Sequence, residues 1–383
     1  MSLSRRSFIR NASASGLGAV AVSILAARGR EALAAAPEAH PAPVHSASKA
    51  SLIRIDSNEN PYGPAPAALD AMRAAFGEAN RYPDESADLL REAIAARHGV
   101  AVENVVIGCG STEILKACAA AFTSPERGLV TAAPSFESLA RFSDARGAKV
   151  VAVPVTGTLQ LDLDAMASNA TRAGLVYVCN PNNPTAAIRS AREVADFIAR
   201  AAKDSPETTI LVDEAYFDFV ADPGYGTAIP VAMENPRVVV ARTFSKIFGL
   251  AGMRVGYAVA KAETIAAMRK HVLFDSVNGL GAAAAVASLK LTGHIEAQAK
   301  LNADARDLTR RFFEGAGYKV YPSHANFMMV DVKRDSRAFR EACRASGVAV
   351  GRPFPPLTNY ARISIGTADE MRRACDAFKS ILA

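Results

Sequence analysis

Val238-Val239-Val240-Ala241-Arg242-Thr243-Phe244-Ser245-Lys246-Ile247-Phe248-Gly249-Leu250-Ala251-Gly252-Met253-Arg254-Val255-Gly256-Tyr257 is the stretch whose reading decides the fold. Val238-Val239-Val240 is a continuous apolar run, the pattern of a strand covered on both faces. A lysine follows that strand, and an arginine lies eight residues beyond the lysine. Outward from it the same kind of run recurs at Val105-Val106-Ile107, Leu129-Val130-Thr131, Leu175-Val176-Tyr177-Val178, Ile210-Leu211-Val212 and Val255-Gly256-Tyr257. Intervening segments such as Glu113 to Phe122 set Ile114, Leu115, Cys118 and Phe122 on one helical face. Buried strands alternating with amphipathic helices predict an α/β domain with a mostly parallel sheet. Beyond Ala262 helices come first, then apolar strands at 327–330, 348–350 and 363–365 and a final helix, which predicts a smaller α+β domain. We expect the body to begin near Leu52, with an N-terminal segment over 52–79 packing on the small domain, a large domain over 80–262 and the small domain over 263–383. No repeat of 20 to 50 residues is visible.

The chain has 383 residues, half of them hydrophobic, enough for a large buried core. Ser4-Arg5-Arg6-Ser7-Phe8-Ile9-Arg10 precedes a mildly apolar run from Ala12 to Ala27 and a small-residue pattern at Ala32-Leu33-Ala34. That order reads as a twin-arginine export signal over 1–34, cleaved near Ala34. Its apolar run is short and broken by Gly16 and Gly18, which disfavours a spanning helix. A Pro/Ala/His/Ser-rich tether follows over 35–51. The leader holds five arginines and one glutamate, so the formal charge of +6 falls to +2 in the mature part. Nucleic-acid binding thereby loses its electrostatic support. The expected location is the periplasm, with the cytoplasm as the alternative. Five scattered cysteines without CxxC spacing and six histidines without HxxxH spacing suggest no metal site, and the cysteines read as buried small hydrophobes.

Four further motifs stand in order around Lys246. Gly108-Cys109-Gly110-Ser111-Thr112-Glu113 joins a strand to a helix, where glycine-rich backbone can cradle a phosphate and where Ser and Thr also simply cap helices. Cys179-Asn180-Pro181-Asn182-Asn183-Pro184-Thr185 is a rigid strand-to-loop segment. Ile210-Leu211-Val212-Asp213-Glu214-Ala215-Tyr216 sets an acid at the end of a buried strand, where α/β sheets present catalytic groups and where turn acids are also common. Asn58-Glu59-Asn60-Pro61-Tyr62-Gly63-Pro64 opens the body.

Together these motifs closely resemble the fold-type-I, pyridoxal-phosphate-dependent class I/II aminotransferases, and among them the histidinol-phosphate aminotransferase-like group. The resemblance covers the span from Leu52 to Ala383. It implies pyridoxal 5'-phosphate as cofactor and Lys246 as the residue bonded to it, since an amine can form an imine with an aldehyde and, once freed, move a proton. It implies Asp213 opposite the pyridine nitrogen, Tyr216 and Asn183 on the phenolic oxygen, and Phe136 stacked on the ring in place of the usual tyrosine. Gly110, Ser111, Thr112, Thr243, Ser245 and Arg254 would hold the cofactor, most of them at its phosphate. Tyr62 would reach the cofactor phosphate of a partner subunit, which implies a homodimer with shared sites. Arg362, within Ala361-Arg362-Ile363-Ser364, would grip the substrate carboxylate, a planar fork matched to two oxygens. Tyr82 and Arg352 are expected near the substrate.

Two departures are visible. Ala186 stands where the family usually places glycine after NPNNPT, and Gly351 follows Val350 where members acting on histidinol phosphate usually carry arginine, so that Arg352 comes one place later. The expected activity is ping-pong transamination between an amino acid or amino-alcohol phosphate and a 2-oxo acid. The alternatives are decarboxylation of a phosphorylated amino acid, a non-catalytic ligand sensor that keeps the cofactor pocket, and a membrane-tethered structural protein. The substrates are small molecules, with no stable membrane insertion after signal removal.

Overall fold

A strand with apolar side chains on both faces must be covered on both, and the main sheet is built from such strands. The computed structural model describes residues 52–383; the export signal expected over 1–34 and the tether over 35–51 lie outside the described residues. In chain order the strands are β1 (Ile53–Ile55), β2 (Val105–Cys109), β3 (Gly128–Ala133), β4 (Val150–Pro154), β5 (Ala173–Cys179), β6 (Thr209–Asp213), β7 (Val238–Thr243), β8 (Val255–Ala260), β9 (Lys319–Val320), β10 (Phe327–Asp331), β11 (Val348–Val350) and β12 (Tyr360–Ser364). Seven of them form one sheet in the order β2-β8-β7-β6-β5-β3-β4. Every residue of β5, β6, β7 and β8 is buried.

The pairings β4–β3, β3–β5, β5–β6 and β6–β7 are parallel, whereas β8 runs antiparallel to both β7 and β2. The sheet is thus mostly parallel, as expected, with one reversal. That reversal has a positional consequence: Thr243 pairs with Gly256, so the Lys246 and Arg254 segments leave and re-enter the sheet at the same end. The parallel strands β5 and β6 end in register there, Cys179 opposite Asp213. The helix Gly110–Phe122 starts directly from the end of β2, which runs in the same direction as β7.

The remaining strands make two small sheets, β12-β10-β9 antiparallel and β1-β11 parallel. A second apolar cluster lies among them, with Ile55, Phe313, Phe339, Ile363 and Phe378 fully buried against the long helix His294–Gly315 and the last helix Ala368–Leu382. The strand expected over 363–365 is displaced toward the N-terminus, because pairing Phe327 with Ser364 brings Tyr360 and Ala361 into the ladder. Four of the cysteines are buried; Cys109, at the end of β2 where the chain turns into its helix, is exposed, against expectation. No helix among the described residues is long and apolar enough to cross a membrane.

Candidate active site

The shared end of the strands opens into a cavity of about 600 Å³, lined by residues far apart in sequence: Ser111, Phe136, Asn183, Asp213, Lys246 and Arg362 among them. Thr112, Tyr216, Thr243, Ser245, Arg254 and Arg352 line it as well. The structure therefore gathers almost all of the expected site residues in one place. Gly110 is not on the cavity wall, yet it belongs to the arrangement. Its φ is +71°, and a Cβ there would meet Arg254 Nη2 at 2.2 Å. Gly256 is equally tight, since a Cβ on it would lie 2.2 Å from the Ser111 nitrogen. Backbone without side chains lets the helix N-terminus, the Arg254 guanidinium and β8 approach one another, which makes a compact anion cradle.

Within that cradle Thr243 Oγ1 donates to Ser245 Oγ at 2.9 Å and accepts from the Ser245 amide at 3.1 Å. Arg254, in the left-handed region at φ 55°, donates from Nη1 to the Ala251 carbonyl at 3.0 Å. Ser111, Thr112, Ser245 and Arg254 supply hydroxyl, amide and guanidinium donors around one point, a donor set that fits a phosphate.

Lys246 Nζ donates to the Asn58 carbonyl at 3.2 Å. Burial, helped by the positive charge of Arg362, brings its ammonium down to about 8. Roughly one molecule in ten then carries the neutral amine at pH 7, far more than for a solvated lysine. Asp213 is moved the other way, up to about 6, by burial above all. Its Oδ2 accepts from the Tyr177 hydroxyl at 2.7 Å and its Oδ1 from the Ala215 amide at 3.1 Å. Lys246 and Asp213 both line the cavity, and Lys246 donates to the Asn58 carbonyl rather than to the Asp213 carboxylate.

Asn183 and Tyr216 stand side by side. Asn183 Nδ2 donates to Tyr216 Oη at 3.3 Å, and Asn183 Oδ1 accepts from Arg362 Nη1 at 2.7 Å. Arg362 Nη2 donates to the Asp56 carbonyl at 2.7 Å, which leaves Nε buried and without a partner. The Arg362 side chain itself forms part of the cavity wall, where its positive charge favours an anionic group. Ala186, in the position of the usual glycine, takes φ 59°, so the loop keeps the left-handed turn at a cost of about 1 kcal/mol or more for the Cβ. Glu214, beside Asp213, turns away from the cavity and forms a buried ion pair with Arg242 at 2.8 Å.

Two expected residues stand outside this cavity: Tyr82, expected near the substrate, and Tyr62, expected at the site of a partner subunit. Tyr82 is 74% exposed in the turn before the helix Asp84–His98, and Tyr62 is 39% exposed beside Asn60; neither lines the cavity of its own chain. Arg352 lines the cavity, but its guanidinium is held by Glu137 at 2.7 Å and stacks on Phe354. Sequence reasoning missed Asn58. Its side chain donates to Tyr216 Oη at 3.1 Å and accepts from Ser364 Oγ at 2.7 Å, and its carbonyl receives Lys246. Its place at the head of the NENPYGP element was the available signal. Tyr177 and Arg340 were missed as well; the first was read only as part of a strand.

The sequence profile of the family described as "Aminotransferase class I and II" matches residues 50–378. The chain belongs to that family. Among relatives of this aminotransferase, a histidinol-phosphate aminotransferase of Moorella thermoacetica is 37% identical over 335 residues, covering 87% of this chain and 86% of the relative. An aromatic amino acid aminotransferase of Rhodococcus opacus is 39% identical, covering 83% and 87%. Among solved structures, the histidinol-phosphate aminotransferase from Sinorhizobium meliloti in complex with pyridoxal-5'-phosphate superimposes with a TM-score of 0.80 at 28% identity, covering 86% of this aminotransferase and 90% of that chain. The α/β architecture of this aminotransferase is that of fold-type-I transferases, and the protein is a transaminase.

Proposed function

We propose that this transaminase uses pyridoxal phosphate to exchange an amino group between an amino acid or amino-alcohol phosphate and a 2-oxo acid. The observation that carries the reading is the convergence of Asp213, of Lys246 with Arg254, and of Arg362 on one cavity from three separate stretches of chain. Pyridoxal phosphate supplies an aldehyde for the amino group and a protonated pyridine ring that takes up the electron pair left at the substrate's α-carbon. Ser111, Thr112, Ser245 and Arg254 would hold its phosphate, Phe136 would cover its ring, and Asn183 with Tyr216 would hold its phenolic oxygen. Asp213 keeps the ring nitrogen protonated by its charge. Lys246 would hold the cofactor through its amine and, as a free amine, would take the substrate's α-proton as general base. Arg362, on the cavity wall, would grip the carboxylate or phosphate of the donor through its guanidinium.

Two copies of the chain complete the site. Support comes from Tyr62 and Tyr82, which lie outside their own cavity, and from Leu273 and Phe274, which are 70% and 99% exposed and call for a covering surface. The leader motif supports export of the folded protein to the periplasm, with a large domain over 80–262 and a small one over 263–383.

The purified full chain, with added pyridoxal phosphate, should show a visible imine band that amino acids or histidinol phosphate discharge. A protein that stays colourless would sink the reading. Arg362→Lys should raise KM for the donor at least tenfold with a smaller change in kcat, because an ammonium cannot reproduce the planar fork. Gly110→Ala should weaken cofactor binding at least tenfold in a spectroscopic titration, since the new methyl group displaces the Arg254 guanidinium.

A further inference from the structure

The proposed chemistry requires Asp213 to remain an anion where the surroundings work against it. Its side chain is 3% exposed, and burial is the main force favouring the neutral acid, with the neighbouring charge of Glu214 acting the same way. Only groups that favour the anion can offset this. Several side chains face the carboxylate: Cys118 from the helix Gly110–Phe122, Cys179 and Tyr177 from β5, Glu214 and Tyr216 from the end of β6, and Lys246 from the loop after β7. Burial pushes the Cys118 and Cys179 thiols and the Tyr216 phenol upward, so all three are neutral at physiological pH. Glu214 is engaged by Arg242, and Lys246 favours the anion by its charge while its hydrogen bond goes to the Asn58 carbonyl.

Tyr177 is different. Its hydroxyl donates to Asp213 Oδ2 at 2.7 Å, the length of a strong charge-assisted bond. The residue is 1% exposed and packed in the apolar layer with Ile114, Leu115 and Leu139, so its hydroxyl has no water to turn to. The strand register fixes the contact. Cys179 stands opposite Asp213 and Tyr177 opposite Leu211, which sets the phenol on the same face as the acid, two residues back along the adjacent strand. Burial and the adjacent anion push the phenol itself well above its ordinary value, so it stays a donor throughout the working pH range.

We propose that Tyr177 is a positioning residue for transamination: its hydroxyl, donating to Asp213 Oδ2, holds that carboxylate as an oriented anion at the cavity floor. The role rests on the reading of Asp213 as partner of the pyridine nitrogen. A phenylalanine at this place would fill the same space and leave the acid with a single backbone donor.

The test is Tyr177→Phe in the full chain, whose thermal midpoint checks that the fold is kept. With aspartate 13C-labelled at its side-chain carboxyl, the Asp213 signal is identified by its loss in Asp213→Asn and titrated before cofactor is added. Tyr177→Phe is expected to raise its midpoint by at least one pH unit. In the loaded enzyme the acid limb of kcat should move up in parallel, with at least a tenfold loss at pH 6 that recovers toward pH 8, and KM for the donor should change less than twofold. Equal midpoints and equal acid limbs in the two proteins would overturn the proposal, leaving the tyrosine a packing residue. A midpoint that moves while the acid limb stays would show that Asp213 does not face the pyridine, and would end the proposal together with that reading.

Discussion

Lys246→Ala is expected to lose turnover by at least about a thousandfold, within the range that general acid–base groups contribute and without the covalent attachment to sustain a residue of activity. The prediction follows from how few other tasks the side chain has. Its nitrogen makes one hydrogen bond, to the Asn58 carbonyl, and no ion pair is formed with Asp213. Removing it deletes the reacting amine while the seven-stranded sheet and the phosphate cradle stay as they are. The check is a single-turnover measurement, with loss of the visible imine band in the purified variant. A variant that turns over normally would remove the amine from the mechanism. The wild-type amine has its own signature. With the ammonium lowered to about 8, the neutral form grows as pH rises through that value, so formation of the band by the cofactor-free protein should accelerate over the same interval and level off above it.

Asp213→Asn should cost roughly a hundredfold to a thousandfold in kcat while keeping the shape of the side chain. Opposite unit charges about 4 Å apart are worth roughly 4 kcal/mol at an effective dielectric of 20, and each 1.36 kcal/mol is a factor of ten in rate. The amide retains an acceptor for the Ala215 amide but carries no charge to keep a pyridine protonated. The pH dependence has a definite sign. Burial raises the carboxyl to about 6, so activity falls as pH drops through that region and the acid takes up a proton. A bound pyridinium favours the anion and moves the limb to lower pH in the loaded enzyme. The asparagine variant should lack this limb altogether. A pH–rate profile compared between the two proteins decides it, and unchanged kinetics would contradict the electron-sink role.

Much of the main sheet was legible because its strands are apolar on both faces, and a buried strand cannot hide that in its composition. β4 was not, since it lies at the sheet edge and four of its five residues are partly or fully exposed, Val150, Val151, Ala152 and Pro154. β1 and β9 span only three and two residues, too few for periodicity to register. The direction of β8 was also invisible, because an apolar run reads the same for parallel and antiparallel neighbours. At the site, residues inside contiguous motifs could be named in advance. Asn58 lies in such a motif and was still passed over, since an asparagine before Glu-Asn-Pro reads as a turn former until its side chain is seen between Tyr216 and Ser364. Arg352 shows the converse: its place in the cavity agrees with expectation, while its engagement by Glu137 depends on a loop more than two hundred residues earlier.

The β7–β8 hairpin limits how this chain can change length. Because Thr243 and Gly256 are locked as ladder partners, the loop carrying Lys246 and Arg254 has both ends fixed in buried sheet. One extra residue there would have to bulge toward Gly63, whose carbonyl carbon already lies 2.3 Å from where a Cβ on Gly249 would stand. The exposed turn at Thr156 to Thr158 has no such confinement and can lengthen into solvent. Insertions and deletions in descendants of this sequence should therefore accumulate at the outer turns and spare the eleven positions between the two strands.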